Sequence, residues 1–201
     1  VDLNALEIDP GKLQSRRLNQ PTTSTHIELF SNHEFLPRAG WPNQGWSLTS
    51  LGESVQPKGA RSVISDRLLS AMDAKDAWGF GFWENDWSTS FEQISVDATG
   101  NRFAINRSHS ESPAQVRQGA RYRLCNLLSE LDMPGEWYVD PSSNLLLYWP
   151  HDLSPSNKVS VSVLDTVLSL YDVEHLTFVG FQIETARSML IEIAGGCNVT
   201  I

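Results

Sequence analysis

Leu168-Ser-Leu170 with Leu176-Thr-Phe178, and then Ile191-Glu-Ile193 with Val199-Thr-Ile201, form two matched pairs of triplets near the C-terminus. The second pair of triplets repeats the first at an offset of 23 residues, from Leu168 to Ile191, and Thr177 recurs as Thr200 at the same offset. Each triplet alternates apolar and polar side chains in the period of two expected of a strand. Repeats of about 20 to 45 residues mark solenoids, in which each unit buries its apolar face on the next. Strand, tight bend and strand, with Gly195-Gly196 at the second bend, predict rungs of a parallel β-helix. One period further back, Leu145 and Leu147 fit the template, but Pro155 falls where an inward apolar residue is needed. The solenoid is therefore expected over residues 159 to 201.

Residues 1 to 158 read as a different module. Glu136-Trp-Tyr-Val-Asp140 and Leu145-Leu-Leu-Tyr-Trp149 are β-rich runs joined by Pro141-Ser-Ser-Asn144. Pro141 presets φ for the first corner and Asn144 tolerates the left-handed conformation, which predicts a hairpin. Further strands are expected over His26 to Phe30, Trp78 to Trp83, Phe91 to Val96 and Arg102 to Asn106. Short strands with frequent turn residues suggest a β-sandwich-like module. Two short helices are expected within it. Ser65 caps one over Asp66 to Asp76, and Asn126 caps another over Leu127 to Leu131 that Pro134-Gly135 terminates. The fold class is thus mainly β, a β-sandwich-like module at 1 to 158 followed by the start of a right-handed parallel β-helix.

The chain has 201 residues, of which 40% are hydrophobic and 19% charged, which excludes a disordered composition. Lys and Arg total 15 against 24 Asp and Glu, a net charge of −9. Such a balance repels a phosphate backbone or an anionic bilayer, so no nucleic-acid partner and no membrane partner is expected. The longest apolar run, Leu145 to Trp149, is far below the roughly 20 residues that span a bilayer. Val1 to Ile8 has neither the basic start nor the apolar stretch of a secretory signal, and the start reads as processed or truncated. Ile201 falls inside an expected strand, so the chain is expected to be part of a longer β-helix whose remaining rungs are its partner. The spacing of Cys125 and Cys197 fits no short metal or redox motif and leaves their pairing open.

Several segments occur in a telling order: Trp78-Gly-Phe-Gly-Phe-Trp83-Glu-Asn-Asp86-Trp87, then Asn126 to Leu131, Gly135-Glu-Trp137-Tyr-Val-Asp140, Leu147-Tyr-Trp-Pro150 and the two rungs. This resembles the insertion domain and first coils of right-handed parallel β-helix proteins related to glycoside hydrolase family 141. Arg38-Ala-Gly-Trp41-Pro-Asn43 resembles that family's Ala-Arg-(Trp or Tyr)-Pro-Asn segment in rearranged order. The resemblance implies a module inserted into a solenoid, a hydrolytic site on later rungs, a periplasmic or secreted location, and oligo- or polysaccharide as the partner.

Glycoside hydrolysis needs two carboxylates about 5 to 9.5 Å apart. Glu84 with Asp86 and Glu136 with Asp140 are the pairs the sequence offers. Glu84 and Asp86 share a face if their segment is extended, whereas Asp140 reads as a turn residue that bonds local amides. Structural roles are the simpler reading of all four, so no catalytic residue is assigned. Trp83 and Trp87, edged by Glu84, Asn85 and Asp86, offer either a stacking platform for sugar rings or a strand end packed into the core. Trp41 and Trp46 lie in a Pro, Asn and Gly-rich loop and stay open between the same two roles. The carbohydrate-contact candidates are therefore Trp41, Trp46, Trp83, Trp87, Glu84 and Asp86.

The histidines at 26, 33, 109, 151 and 175 show no metal-ligand pairing, and no nucleophile elbow or complete phosphate-binding fingerprint occurs. No cofactor and no metal are expected. Asn106-Arg-Ser108 and Asn198-Val-Thr200 match the glycosylation acceptor pattern, although Asn198 is better explained as a turn residue. The first functional reading is an accessory, non-catalytic portion of a carbohydrate-active β-helix enzyme, a bacterial glycoside hydrolase. The alternative is a binding or adhesive β-helix surface protein without chemistry. A polysaccharide lyase is the hardest to reconcile with only four Lys.

Overall fold

A computed structural model of the chain describes residues 1–11, 13, 26–54, 61–64, 69–70, 75, 77–106, 116–154 and 157–201. The chain is mainly β, and among the described residues fifteen strands form several sheets. They are β1 (Leu29–Ser31), β2 (Glu34–Leu36), β3 (Gly40–Trp41), β4 (Ser47–Leu48), β5 (Ser50–Ser54), β6 (Arg61–Ile64), β7 (Trp78–Gly81) and β8 (Ser90–Val96). The remainder are β9 (Arg102–Asn106), β10 (Arg121–Cys125), β11 (Trp137–Asp140), β12 (Leu145–Tyr148), β13 (Val159–Val161), β14 (Thr166–Tyr171) and β15 (Met189–Ala194).

The largest sheet is antiparallel and runs β3-β10-β7-β8-β9-β6-β5, with β4 also paired to β10. Tyr122 and Leu124 of β10, Ile94 of β8, and Phe103 and Ile105 of β9 point to one face and form its core with Trp83. Gly79 and Gly81 lie beneath the Trp83 indole; a Cβ on Gly79 would come within 2.9 Å of the ring. The two glycines thus make room for an indole laid flat on β7. A second core gathers Leu3, Ile27, Leu29, Leu36, Trp137, Val139 and Leu146.

The hairpin expected over residues 136 to 149 is present. Trp137 pairs with Tyr148 and Asp140 with Leu145, and Asn144 takes φ 55°. Asp140 caps the turn by accepting from the Ser142 amide at 2.8 Å and from the Ser142 and Ser143 hydroxyls at 2.6 Å each. Those bonds hold its carboxyl down at about 2.

The expected parallel register of the repeat is also present. Leu168 pairs with Ile191 and Leu170 with Ile193 in parallel β14 and β15, and Thr177 bridges Thr200. Leu170 is buried, while Ile193 and Ile201 are about half exposed. The parallel strands expected from residue 159 do not start there: β13 pairs antiparallel with β1, whose other edge carries β2, and the parallel pairing is that of β14 with β15. Arg187, buried just before β15, donates to the carbonyls of Ser162 and Asp9, and Glu184 pairs with His33. The repeat is tied in this way to the N-terminal part of the chain.

Several expectations are corrected. The helix over Leu127 to Leu131 is a single 3-10 turn, Leu128–Glu130, and Asn126 does not cap it. The Asn126 side chain instead pairs with the backbone of Val139, donating to its carbonyl at 3.0 Å and accepting from its amide at 3.2 Å. A buried amide that satisfies a strand edge in the core is held there in preference to a local cap. The strand expected from His26 begins at Leu29. Residues 82 to 89 turn rather than extend, so Glu84 and Asp86 do not share a strand face. Apart from Leu69, Ser70 and Lys75, the helix expected over Asp66 to Asp76, with its cap Ser65, lies outside the described residues, as does Pro155. The pairing of Cys125 and Cys197, which the sequence leaves open, is absent: both are free thiols. Among the described residues no helix is long and apolar enough to cross a membrane.

Candidate functional site

Alternation along β7, β8 and β10 sends the core residues one way and leaves Phe80, Phe91, Arg121 and Arg123 on the opposite face. Phe80 stands opposite Phe91 on one side and Arg123 on the other, with the two phenyl rings 4.5 Å apart. Trp46 enters from the loop before β4 and lies 5.8 Å from Phe80 and 5.3 Å from Phe82. Four aromatic rings from three chain segments thereby form one platform on the outer face of the sheet. Trp46 is 38% exposed.

Charge sits at the margin of this platform. The Arg121 guanidinium covers the Phe82 ring at 4.1 Å and stands 6.0 Å from the Trp46 ring. It also lies 3.8 Å from the Asp86 carboxylate, which pairs with Arg117 through the same oxygen. Arg123 donates to the Pro42 carbonyl at 2.7 and 3.1 Å and to the Asn43 carbonyl at 3.1 Å, which fixes the loop that carries Trp46. Rings with polar groups at their edge are the arrangement that stacks on a pyranose and reaches its hydroxyls.

Of the sequence-predicted residues, the structure brings Trp46 and Asp86 together through Arg121. Trp83 offers no face to a ligand. It is 2% exposed, stacks on Tyr122 at 5.9 Å and donates its indole N–H to the Ser90 carbonyl at 3.1 Å. Trp41 is half-buried against the same core. Trp87 is 79% exposed beside Asp86, and Glu84 is exposed in the same turn.

The remaining carboxylates are held by backbone. Glu136 is buried and accepts from the amides of Asp132 at 3.1 Å and Met133 at 3.0 Å. Burial pushes its carboxyl above the ordinary range, those two amides pull it back, and nearby Asp132 and Glu130 add repulsion. Glu136 and Asp140 lie at opposite ends of β11, about 13 Å apart at the rise of a strand, beyond the span of a glycosidase pair. No group of three or more His, Cys, Asp or Glu placed to hold a metal ion occurs among the described residues.

No protein-family model matches the chain, and no curated protein matches it. A solved structure described as a glycoside hydrolase matches it with a TM-score of 0.57 and 22% identity over 75% of this chain. The fold is glycoside-hydrolase-like. The matched region is 30% of that structure's length, and at this identity the likeness is one of fold.

Within this glycoside-hydrolase-like fold, Phe80, Phe82, Phe91, Arg117 and Arg121 are the site residues that sequence reasoning missed. The signal for two of them was present: Phe80 alternates with Gly79 and Gly81, so a strand that buries its glycines must turn its phenylalanine outward. Arg121 carries a weaker signal, because an Arg-Tyr-Arg-Leu alternation declares a two-faced strand without naming what lies on its polar face.

Proposed function

We propose that this chain is a non-catalytic, carbohydrate-contacting portion of a parallel β-helix glycoside hydrolase that acts on polysaccharide in the periplasm or outside the cell. In this reading residues 1 to 158 are an accessory module and residues 159 to 201 begin the coil. The observation that carries it is the Trp46, Phe80 and Phe82 platform edged by Arg121 and Asp86. The glycoside-hydrolase-like fold supports the class, and the 23-residue register from His175 to Asn198 supports the coil. Among the described residues β15 pairs only with β14, and its edge with half-exposed Ile193 suits a further parallel rung.

The competing reading, an adhesive β-helix surface protein, is favoured by the commitment of Glu136 and Asp140 to local backbone and hydroxyls. A panel of polysaccharides and aryl glycosides tests both. The expected result is weak glycan binding that is lost in Trp46→Ala, with no turnover by the purified chain. Turnover abolished by Glu84→Gln, Asp86→Asn, Glu136→Gln or Asp140→Asn would place a catalytic site inside this chain and end the proposal.

A further inference from the structure

The charges at the platform margin specify more than a sugar ring. Arg117 and Arg121 both approach the one carboxylate of Asp86, and Arg123 stands beside Phe80 on the same face. Three guanidiniums, those of Arg117, Arg121 and Arg123, thus gather along this edge in a chain of net charge −9, with Glu84 and Asp86 in the adjoining turn. Arg117 is engaged with Asp86, and Arg123 is engaged with the Pro42 and Asn43 carbonyls. Among the described residues the Arg121 guanidinium makes no hydrogen bond: its approach to Asp86, at 3.8 Å, is longer than one.

The Arg121 guanidinium is nevertheless held in place, laid over Phe82 at 4.1 Å and 42% exposed. A planar fork fixed on a ring, with its donors unfilled and open to solvent, matches the two oxygens of a carboxylate. A pyranose stacked on Trp46 presents its exocyclic substituent at the ring edge, and the Arg121 guanidinium stands 6.0 Å from that indole.

We propose that the platform takes a hexuronate, an acidic sugar whose ring stacks on Trp46 and whose carboxylate is received by Arg121. The inference rests on the carbohydrate reading of the platform and adds the charge class of its ligand.

The test compares an oligogalacturonate with the same oligosaccharide fully methyl-esterified, titrated calorimetrically into the full chain. The backbone is then constant and only the charge differs. The acid is expected to bind more tightly by about two- to five-fold, the range that an exposed charge pair supplies. Arg121→Gln should abolish that preference while the ester still binds, and Arg121→Lys, which keeps the charge but loses the fork, should retain only part of it. Trp46→Ala should weaken both ligands, with near-ultraviolet circular dichroism verifying that each variant is folded. Equal or tighter binding of the ester overturns the acidic-sugar inference and leaves the carbohydrate reading standing. Failure of both forms to bind, while another glycan of the panel binds, overturns it in the same way. No binding to any glycan removes both.

Discussion

The Arg38 guanidinium lies flat over the Trp137 indole, 4.0 Å from its centre, and joins three segments of the chain at one point. It donates to the Asn126 side-chain oxygen at 3.0 Å and to the Ile27 carbonyl at 3.2 Å, while Arg38 and Trp137 also bridge through backbone. Burial lowers its pKa to about 10, with Cys125 and then Glu28 acting in the opposite direction. Trp137 belongs to the second core and Asn126 follows β10 of the first, so Arg38 links the two. The rearranged Arg-Ala-Gly-Trp-Pro-Asn motif therefore has a structural use here.

Arg38→Ala is expected to lower stability by about 3 kcal/mol, through lost packing on Trp137 and two unmade hydrogen bonds. Arg38→Met should recover part of this, because its thioether chain fills space over the indole without burying a charge. Urea unfolding measures both. A Met variant no better than Ala would mean that the hydrogen bonds, and not the stacking, hold this junction.

Asn144 supplies the left-handed residue of the hairpin at φ 55°, its amide donates to the Asp140 carbonyl at 2.8 Å, and its side chain reaches Asn4 at 2.9 Å. Asn144→Val should cost about 1 to 2 kcal/mol, since a β-branched side chain resists positive φ. Asn144→Gly should cost less, because only the side-chain bond to Asn4 is lost while the conformation is eased. Paired urea titrations check the order, and a valine variant as stable as glycine would contradict the turn geometry.

Two carboxyls at opposite ends of β11 should give opposite pH slopes. Asp140 is depressed from 3.8 to about 2, so its stabilising contribution is present above 3.8 and is lost as pH falls through that window. Glu136 is raised above 4.5 by burial, so the fold favours its neutral form and stability declines as pH rises from 4.5. Asp140→Asn should flatten the acid limb of thermal melts recorded against pH. Glu136→Gln should gain on the parent as pH increases past 4.5, because its oxygen still accepts from Asp132 and Met133 without a buried charge. Glu136→Ala, which leaves both amides unmet, should lose about 1 to 3 kcal/mol. A glutamine variant less stable than the parent at neutral pH would show that the charge itself is required.

How far the sequence was legible depends on the range of the interaction. The β14 and β15 pairing was readable because a repeat carries its own register, Leu168 under Ile191 and Leu170 under Ile193. The hairpin was readable because Pro141 and Asn144 act within four residues. Asn126 misled because the capping rule is local, whereas its side chain pairs with Val139, 13 residues on. Trp83 and Trp46 look alike in sequence. Only the sheet register, which sets Gly79 and Gly81 under the first and Arg121 beside the second, separates a core indole from an exposed one.

The stacking of the two repeat units has a sharp test in its glycines. Gly180 and Gly196 share φ +80°, so alanine at either suffers similar backbone strain, on the order of 1 to 2 kcal/mol. They differ in what a new Cβ would meet. At Gly180 nothing lies within 4 Å, whereas at Gly196 the Val173 carbonyl oxygen would be 2.0 Å away. That oxygen also accepts from the Cys197 amide at 3.1 Å, so it cannot retreat without breaking the bond between successive bends. Gly196→Ala should therefore lose at least about 2 kcal/mol more than Gly180→Ala, as overpacking against rigid backbone does. Hydrogen exchange should place the added damage at Cys197 and His175, whose amides bridge the two bends, and not in the antiparallel sheets. Equal losses for the two variants would mean that the bends do not approach as closely as the 23-residue register from His175 to Asn198 requires.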